Sequence, residues 1–153
     1  MKVSPIRVAQ PADLLRLVEL VRQYWQFEAI RGFDAERVST LLKRVLLHPN
    51  LGTIWVASAD DQLVGYLLAV YVFSLEQQGL MAEIDEFFVA PAARAVGIGT
   101  ALLDAAETGL AQRGCVCLQL QLGKENSSAR AFYRRRGYSA RDGYDLYDKR
   151  LGG

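Results

Sequence analysis

The chain has 153 residues, within the usual range for one domain, and its 51% hydrophobic and 23% charged residues argue against intrinsic disorder. Its formal net charge of +1 excludes a strong overall attraction to nucleic acid, and one histidine with two cysteines is too few for a clustered metal site. No apolar run reaches the roughly 18 residues of a membrane span, and the N-terminus lacks the apolar core of a signal peptide. We therefore expect one cytoplasmic domain over residues 1–153, without a metal, nucleic acid or membrane partner.

The apolar pattern first predicts a short strand and two helices. Residues 4–9 form the candidate strand. A first helix is expected from Pro11, since proline is favoured in a first turn, to Gly32, since glycine ends helices. A second helix is expected from Asp34, a typical capping residue, to His48, which precedes a proline.

The pattern then changes to strands with further helices between them. Strands are expected at 52–59, 63–75 and 80–89, followed by a glycine-bearing loop at 94–99, a helix to 109–113, a strand at 115–122, a helix at 126–136, and closing strands near 138 and at 144–151. This order predicts an α/β fold, a mixed sheet with helices on both faces.

The loop before the third helix is suited to bind phosphate. Arg94 precedes Gly97 and Gly99, and we expect the helix to begin at the second glycine. Unpaired N–H groups and the positive dipole end at a helix N-terminus attract phosphate, and glycine permits close approach. The guanidinium of Arg94 could contact the same anion. The pattern is neither a Walker loop nor a Rossmann fingerprint, and a glycine turn that only starts a helix is the alternative.

Two motifs in this order resemble those of a known superfamily. Arg94-x-x-Gly97-x-Gly99 resembles the Q/R-x-x-G-x-G/A signature of the GNAT acetyltransferases, and the segment from Asn126 to Tyr138 is similar to their second motif. The resemblance covers the whole order of elements, although residues 1–60 match in layout more than in motif. It implies a single-domain GNAT-like fold and direct acetyl transfer from acetyl-CoA to a primary amine in a ternary complex.

The resemblance leaves the acceptor open. A small-molecule amine, a polyamine or an amino-acid-like amine is the first expectation. Acetylation of a protein lysine or N-terminus is the alternative enzyme activity, and a non-catalytic acyl-CoA-binding module is the alternative outside catalysis.

The resemblance also implies which residues contact acetyl-CoA. The loop would hold the pyrophosphate, a main-chain N–H near the end of the preceding strand would polarise the thioester carbonyl, and the second motif would contact the pantetheine arm and the ribose phosphate. The expected residues are Phe88, Val89, Arg94, Ala95, Val96, Gly97, Ile98, Gly99, Thr100, Asn126 and Arg130.

The strand before the loop contains three acids within four residues, which is unusual because buried charge is costly. Strict alternation places Glu83, Asp85 and Phe87 on one face, and Ile84, Glu86 and Phe88 on the other. A substrate ammonium must lose a proton before it attacks, so a carboxylate or a water chain has to accept it.

Counting back from the loop, the base of histone-type relatives falls at Glu83, and a carboxylate of polyamine-type relatives falls at Asp85. Glu83 is our favoured base, with Asp85 as its partner or substitute, unless these acids only solvate an exposed sheet end. By the same resemblance Tyr133 is the expected general acid for the leaving thiolate, with a packed helix aromatic as the alternative.

Aromatic and acidic residues near the ends of two elements are candidates for the acceptor site. They are Tyr24, Trp25 and Glu28 in the first helix, and Phe73 and Glu76 at the end of the second long strand. Aromatic rings and carboxylates suit a cationic amine. The same aromatics could instead belong to the core or to a contact in a homodimer.

Overall fold

The helices and strands follow the predicted order up to residue 120. The computed structural model describes residues 1–152, which divide into two units after Leu120. The elements of the first unit are β1 (Arg7–Val8), α1 (Leu14–Phe27), α2 (Ala35–Leu47), β2 (Gly52–Ala59), β3 (Gln62–Ser74), β4 (Gly79–Val89), α3 (Ile98–Gln112) and β5 (Leu118–Leu120). Short 3-10 turns at Pro11–Asp13 and Pro91–Ala93 precede α1 and α3. None of the helices within residues 1–152 is long and apolar enough to cross a membrane.

The strands form one sheet in the order β1-β2-β3-β4-β5. Neighbours are antiparallel except β4 and β5, which are parallel. The predicted strand at 4–9 is reduced to two residues, and the strand predicted at 115–122 to three. The predicted mixed α/β sheet is confirmed.

Helices α1 and α2 cover one face of this sheet. Their apolar residues recur at helical spacing and enter a buried cluster with side chains of the three long strands. The cluster contains Leu17, Leu20, Val21, Val38 and Leu42 from the helices, and Ile54, Val56, Leu63, Tyr66, Leu68 and Phe88 from the strands. We call this side of the sheet the α1 face.

Helix α3 covers the opposite face, with Leu102, Leu103 and Ala106 fully buried. A Cβ built at Gly109 would lie 3.0 Å from Cζ2 of Trp55, so α3 approaches β2 closely at Gly109. Helices therefore lie on both faces, as predicted.

A β-bulge interrupts β4 next to the loop. Leu68 pairs with Glu86 and the next residue of β3, Ala69, pairs with Ile84, so Asp85 is an extra residue without a cross-strand partner in the register. Directly paired residues share a face of the sheet, which places Glu86 with Leu68 on the α1 face and Ile84 on the α3 face.

The bulge contradicts the face assignment predicted from strict alternation. Glu83 pairs with Val70, which packs on the α1-face cluster, so Glu83 and Glu86 share a face instead of lying on opposite ones. Phe87 lies on the other side, where its ring is 3.7 Å from a Cβ built at Gly99 in α3. The extra residue shifts the alternation of side chains between the two faces by one position. This shift is the physical reason for the error.

The second unit begins at Gln121 and contains α4 (Ser127–Arg135). Asn126 caps this helix, since its Oδ1 accepts a hydrogen bond from the N–H of Ala129 at 3.2 Å. The closing strands predicted near 138 and at 144–151 are wrong, because no strand forms in the described part of the chain after β5. Residues 144–152 have no regular secondary structure, and the Tyr138 N–H donates to the Tyr133 carbonyl at 3.0 Å, next to the end of α4.

Candidate active site

The loop between β4 and α3 presents backbone N–H groups at an open helix end. Gly97 is the N-cap residue, with φ of 84°, and α3 begins at Ile98, one residue before the predicted start. The first hydrogen bond of α3 joins Ala101 N–H to the Gly97 carbonyl at 3.0 Å. The N–H groups of Ile98, Gly99 and Thr100 precede that bond and are therefore not used by the helix ladder.

The surroundings of this helix end leave room for an anion. A Cβ built at Gly97 meets nothing within 4 Å, and one built at Gly99 meets only ordinary contacts, the nearest at 3.7 Å. Ala95, which has φ of 68°, and Val96 are exposed beside it. Ile98 is 2% exposed, so its side chain anchors the helix and only its main chain can face a ligand. Main-chain N–H groups and a positive helix end fit a phosphate or pyrophosphate.

Arg94 joins this loop to the C-terminal turn of α1. Its Nε donates to the Val89 carbonyl at 2.8 Å. Its guanidinium lies 4.6 Å from the ring centroid of Phe27 in α1 and 5.5 Å from that of Phe88 in β4. These are cation–π distances, so the loop and α1 are held together through one side chain.

Glu86 accepts hydrogen bonds from two neutral donors on different elements. Oε2 accepts from Trp25 Nε1 at 2.7 Å, and Oε1 accepts from the Tyr66 hydroxyl at 2.8 Å. Burial raises the pKa of the Glu86 carboxyl above its ordinary value, and the negative charge of Asp85 adds to that rise. The two hydrogen bonds oppose the rise but do not cancel it.

Asp85 and Tyr24 lie beside this carboxyl. Asp85 has an exposed side chain, yet partial desolvation by the surrounding protein raises its pKa. Burial, with the charges of Glu86, Glu28 and Asp85, raises the pKa of Tyr24 to about 12. The Tyr24 ring contacts the ring of Phe88 at a centroid distance of 5.8 Å. The bulge thus carries two adjacent carboxyls beside an aromatic wall from α1.

Comparison with known proteins identifies the family. A model of the acetyltransferase (GNAT) family matches residues 14–138. The chain belongs to the GNAT family. An uncharacterized N-acetyltransferase of Bacillus subtilis, YhfO, is 30% identical over 142 residues, which cover 93% of this chain and 94% of the relative. An aminoalkylphosphonate N-acetyltransferase of Salmonella typhimurium is 30% identical over 123 residues, 80% of this chain and 73% of the relative.

A solved structure supports the same assignment. An integron cassette protein from the mobile metagenome of Cole Harbour Salt Marsh superposes with a TM-score of 0.85 at 30% identity, over 97% of this chain and 91% of that chain. The resemblance predicted from the two motifs is confirmed, and the chain is an acetyl-transferring enzyme of the GNAT family.

The structure of this GNAT chain brings together only part of the predicted acceptor set. Tyr24 and Trp25 adjoin the bulge, and Glu28 is close enough for its charge to act on Tyr24. The other two predicted residues lie elsewhere. Phe73 is 71% exposed, and Glu76 lies in the hairpin turn after β3.

Phe73 is separated from the bulge by both distance and face. Phe73 is five positions after Leu68 on β3, about 17 Å along a strand. Tyr71 faces α3, since Arg113 at the end of that helix stacks 4.5 Å from its ring, and Phe73 follows by alternation. Phe73 and Glu76 therefore do not belong to the cluster around the bulge.

Sequence reasoning missed Glu86 and Tyr66 as members of this candidate site. One feature of the sequence could have indicated them. Glu86 lies in a predicted strand without an obvious partner nearby in the chain, and a half-buried carboxyl needs hydrogen-bond donors. Tyrosine and tryptophan supply single donors on large apolar rings, so Tyr66 and Trp25 were candidates for that role.

The candidates in the second unit have local partners of their own. A guanidinium nitrogen of Arg130 donates to the Lys124 carbonyl at 2.9 Å, and Asn126 serves as the cap of α4. Tyr133 is 8% exposed, and its ring meets those of Phe132 and Tyr138 at centroid distances of 5.2 and 5.3 Å. Within residues 1–152, no group of three or more His, Cys, Asp or Glu is placed to hold a metal ion.

Proposed function

We propose that this enzyme transfers the acetyl group of acetyl-CoA directly to a primary amine in a ternary complex. The proposal rests on one observation, that two features lie next to each other within residues 1–120. The anion-binding helix end and the acidic, aromatic bulge meet through Arg94, which contacts Phe27 and Phe88. A donor site for a phosphate-bearing cofactor therefore adjoins a site suited to a cation.

The cofactor side follows from the main chain of the loop. We propose that the N–H groups of residues 97–100 hold the pyrophosphate, that Arg94 to Val96 flank it, and that the main chain of Phe88 and Val89 faces the thioester. Phe88 is 4% exposed, so its side chain belongs to the core and its main chain is the relevant part. Asn126 and Arg130 are proposed cofactor contacts on the family resemblance. Acetyl-CoA supplies the acetyl thioester.

The acceptor side favours a positively charged amine. Asp85, Glu86 and Glu28 bring negative charge to the rings of Tyr24 and Trp25, and both carboxylates and aromatic faces attract an ammonium. The Salmonella relative is named for an aminoalkylphosphonate, which supports a small-molecule amine as the class of acceptor. Tyr24, Trp25 and Glu28 remain proposed acceptor contacts, whereas Phe73 near the end of β3 and Glu76 in the turn after it lie away from the bulge.

The reaction requires a proton acceptor for the amine and a proton donor for the thiolate. We propose that Glu83, with Asp85 as partner or substitute, accepts the proton that makes the amine nucleophilic. The nitrogen–carbon bond forms as the carbon–sulfur bond breaks, and Tyr133 gives a proton to the departing thiolate and recovers one from the acetylated nitrogen. The products are the N-acetylated amine, the free thiol of CoA and one proton. The bulge turns Glu83 toward the α1 face, which supports its role, and the raised pKa of Asp85 supports its role as substitute.

An amine panel tests this function. Release of free CoA is measured with butanediamine, phenylethylamine, aminomethylphosphonate and a lysine peptide as acceptors. We expect turnover with at least one free amine and little with the peptide. Turnover confined to the peptide establishes the alternative of protein acetylation. Binding of acetyl-CoA without turnover of any acceptor establishes a non-catalytic acyl-CoA-binding module.

The loop assignment predicts a loss of cofactor affinity in Gly97→Val. A β-branched residue is strongly disfavoured at φ of 84°, and its side chain would stand where the pyrophosphate is expected. Calorimetry should show acetyl-CoA affinity reduced more than about tenfold, or at least about 1.4 kcal/mol.

Gly114→Val is the matched control for this loop variant. Gly114 follows the other end of α3, has φ of 95° and also meets nothing within 4 Å of a built Cβ. It should carry similar backbone strain and keep wild-type affinity. Equal losses in the two variants would contradict the loop assignment, and so would an unchanged affinity in Gly97→Val.

We also propose that residues 1–153 act as one acetyltransferase domain, since the family match at 14–138 includes residues of both units. A cytoplasmic location and a homodimer remain predictions from the sequence.

A further inference from the structure

We propose that Glu86 is a positioning residue of the acceptor site, which fixes the C-terminal turn of α1 against the β4 bulge through Trp25 and Tyr66. The inference rests on the proposed function, which assigns the bulge to the acceptor site. It goes beyond that function because neither the family motifs nor the sequence pattern assign a role to Glu86.

Both oxygens of Glu86 are committed to holding the structure together. Trp25 Nε1 and the Tyr66 hydroxyl each donate to a different oxygen, at 2.7 and 2.8 Å. Two donors on two oxygens define the orientation of the carboxyl plane. An amide at this position could accept only one of the two bonds, because its nitrogen is itself a donor.

Trp25 transmits this anchoring to the chain that follows α1. Its carbonyl accepts from Ile30 N–H at 2.8 Å, and its ring meets the ring of Phe33 edge-on at 5.8 Å. The bond to Glu86 therefore also locates the connection between α1 and α2. On either side of Trp25, Tyr24 and Phe27 contact the ring of Phe88.

The same anchoring sets the distance between the α1 wall and Asp85. Asp85 immediately precedes Glu86 and is the extra residue of the bulge, so it has no cross-strand partner in the register to locate it. Glu86, the next residue in the chain, is fixed through both of its carboxylate oxygens. The rings of α1 are proposed to hold the amine and an acid of β4 to activate it. A shift of this turn would therefore change the distance between the amine and that acid.

The hydrogen bond itself is tested by nitrogen-15 NMR of the full chain. The chain has two tryptophans, Trp25 and Trp55, and Trp25→Phe identifies which indole N–H signal is which. We expect the Trp25 signal to lie downfield and to move in a single pH transition as Glu86 takes up a proton. The transition should be absent in Glu86→Gln.

Other groups near Glu86 are separated by their own variants. Tyr24 lies near it on α1, Tyr66 on β3 and Asp85 on β4. Glu28, which follows α1, acts on Tyr24, and Arg94 of the loop lies over the neighbouring ring of Phe88. The charge of Asp85 raises the pKa of Glu86, so Asp85→Asn should move the Trp25 transition to lower pH without removing it. A Trp25 signal that does not titrate, or that still titrates in Glu86→Gln, would overturn the proposal.

The positioning role is tested by a double-mutant cycle on steady-state kinetics, with the best acceptor of the four-member panel. We expect kcat/KM for the amine to fall about tenfold or more in Glu86→Gln and in Trp25→Phe, with acetyl-CoA affinity within about twofold of wild type. The double variant should be no worse than Glu86→Gln alone, because both changes break the same bond. Glu36→Gln, on an exposed turn of α2, is the matched control and should keep wild-type rates.

The outcomes separate this inference from the proposed function. Fully additive losses, or a Glu86→Gln enzyme with wild-type kcat/KM, would overturn the inference and leave the proposed function standing. A wild-type enzyme that binds acetyl-CoA but acetylates no acceptor would overturn both, and the NMR titration would then describe a structural bond only. If Glu86→Gln does not fold, Tyr66→Phe removes the other donor, and we expect a lower kcat/KM for the amine with acetyl-CoA affinity within about twofold of wild type. Wild-type kcat/KM in both Tyr66→Phe and Trp25→Phe would then overturn the inference.

Discussion

Glu83→Gln is expected to lower kcat/KM by about 10²-fold at neutral pH, within the range for loss of a general base. The base must be ionised to accept the amine's proton, so wild-type kcat/KM should rise with pH along an acidic-to-neutral limb. The amide keeps the size of the side chain but cannot accept the proton. Activity should recover partly at high pH, where an amine with a pKa of about 10 is already neutral.

Asp85→Asn is the internal control for this prediction. Desolvation raises the pKa of Asp85, so if Asp85 were the base, the rising limb would lie at higher pH than for an ordinary carboxyl and would be lost in Asp85→Asn. A severe defect in Asp85→Asn with a normal Glu83→Gln would assign the base to Asp85. Unchanged pH profiles in both variants would show that ordered water accepts the proton and that the acids of β4 have another role.

Tyr133→Phe is expected to lower kcat by about 10²-fold and to leave acetyl-CoA affinity nearly unchanged, as for loss of a general acid. The change removes one hydroxyl from a ring that is 8% exposed, so the packing of α4 should be retained. Steady-state rates and calorimetric affinities measured on the same preparation separate chemistry from binding.

Tyr138→Phe is the matched control for Tyr133. It removes the same group from a ring in direct contact, at a centroid distance of 5.3 Å. Wild-type kcat in Tyr138→Phe together with a low kcat in Tyr133→Phe supports the general acid. Similar small losses in both variants would reduce Tyr133 to a packed aromatic of the helix.

Features that depend on neighbouring residues in the chain were predicted well. The two N-terminal helices were located by their apolar spacing and by caps such as Asp34, whose carboxylate accepts the Arg37 N–H at 2.9 Å. The glycine loop was identified because the anion site proposed for it depends on consecutive backbone groups. The predicted start of α3, at the end of this loop, was wrong by one residue.

Side-chain partners and strand registers that depend on distant residues were not predicted. Trp25 and Glu86 are 61 residues apart, and Tyr66 and Glu86 are 20 apart, so no local pattern connects them. The bulge results from the pairing of β4 with β3, which alternation within β4 alone does not contain. The closing strands failed for the same reason, since alternating apolar residues form a strand only where another strand accepts their hydrogen bonds.

The bulge also affects how β4 should be aligned with other sequences. Residues in this strand are matched by counting back from the glycine loop, and such a count assumes that every second residue shares an environment. Asp85 breaks that assumption once, so positions before it exchange environments relative to positions after it. A relative whose strand is one residue shorter would present a different acid to α1 even with a perfectly matched loop. Alignments should therefore place a gap opposite Asp85 wherever the relative's strand is regular, and residue roles should be transferred separately for the two halves of β4.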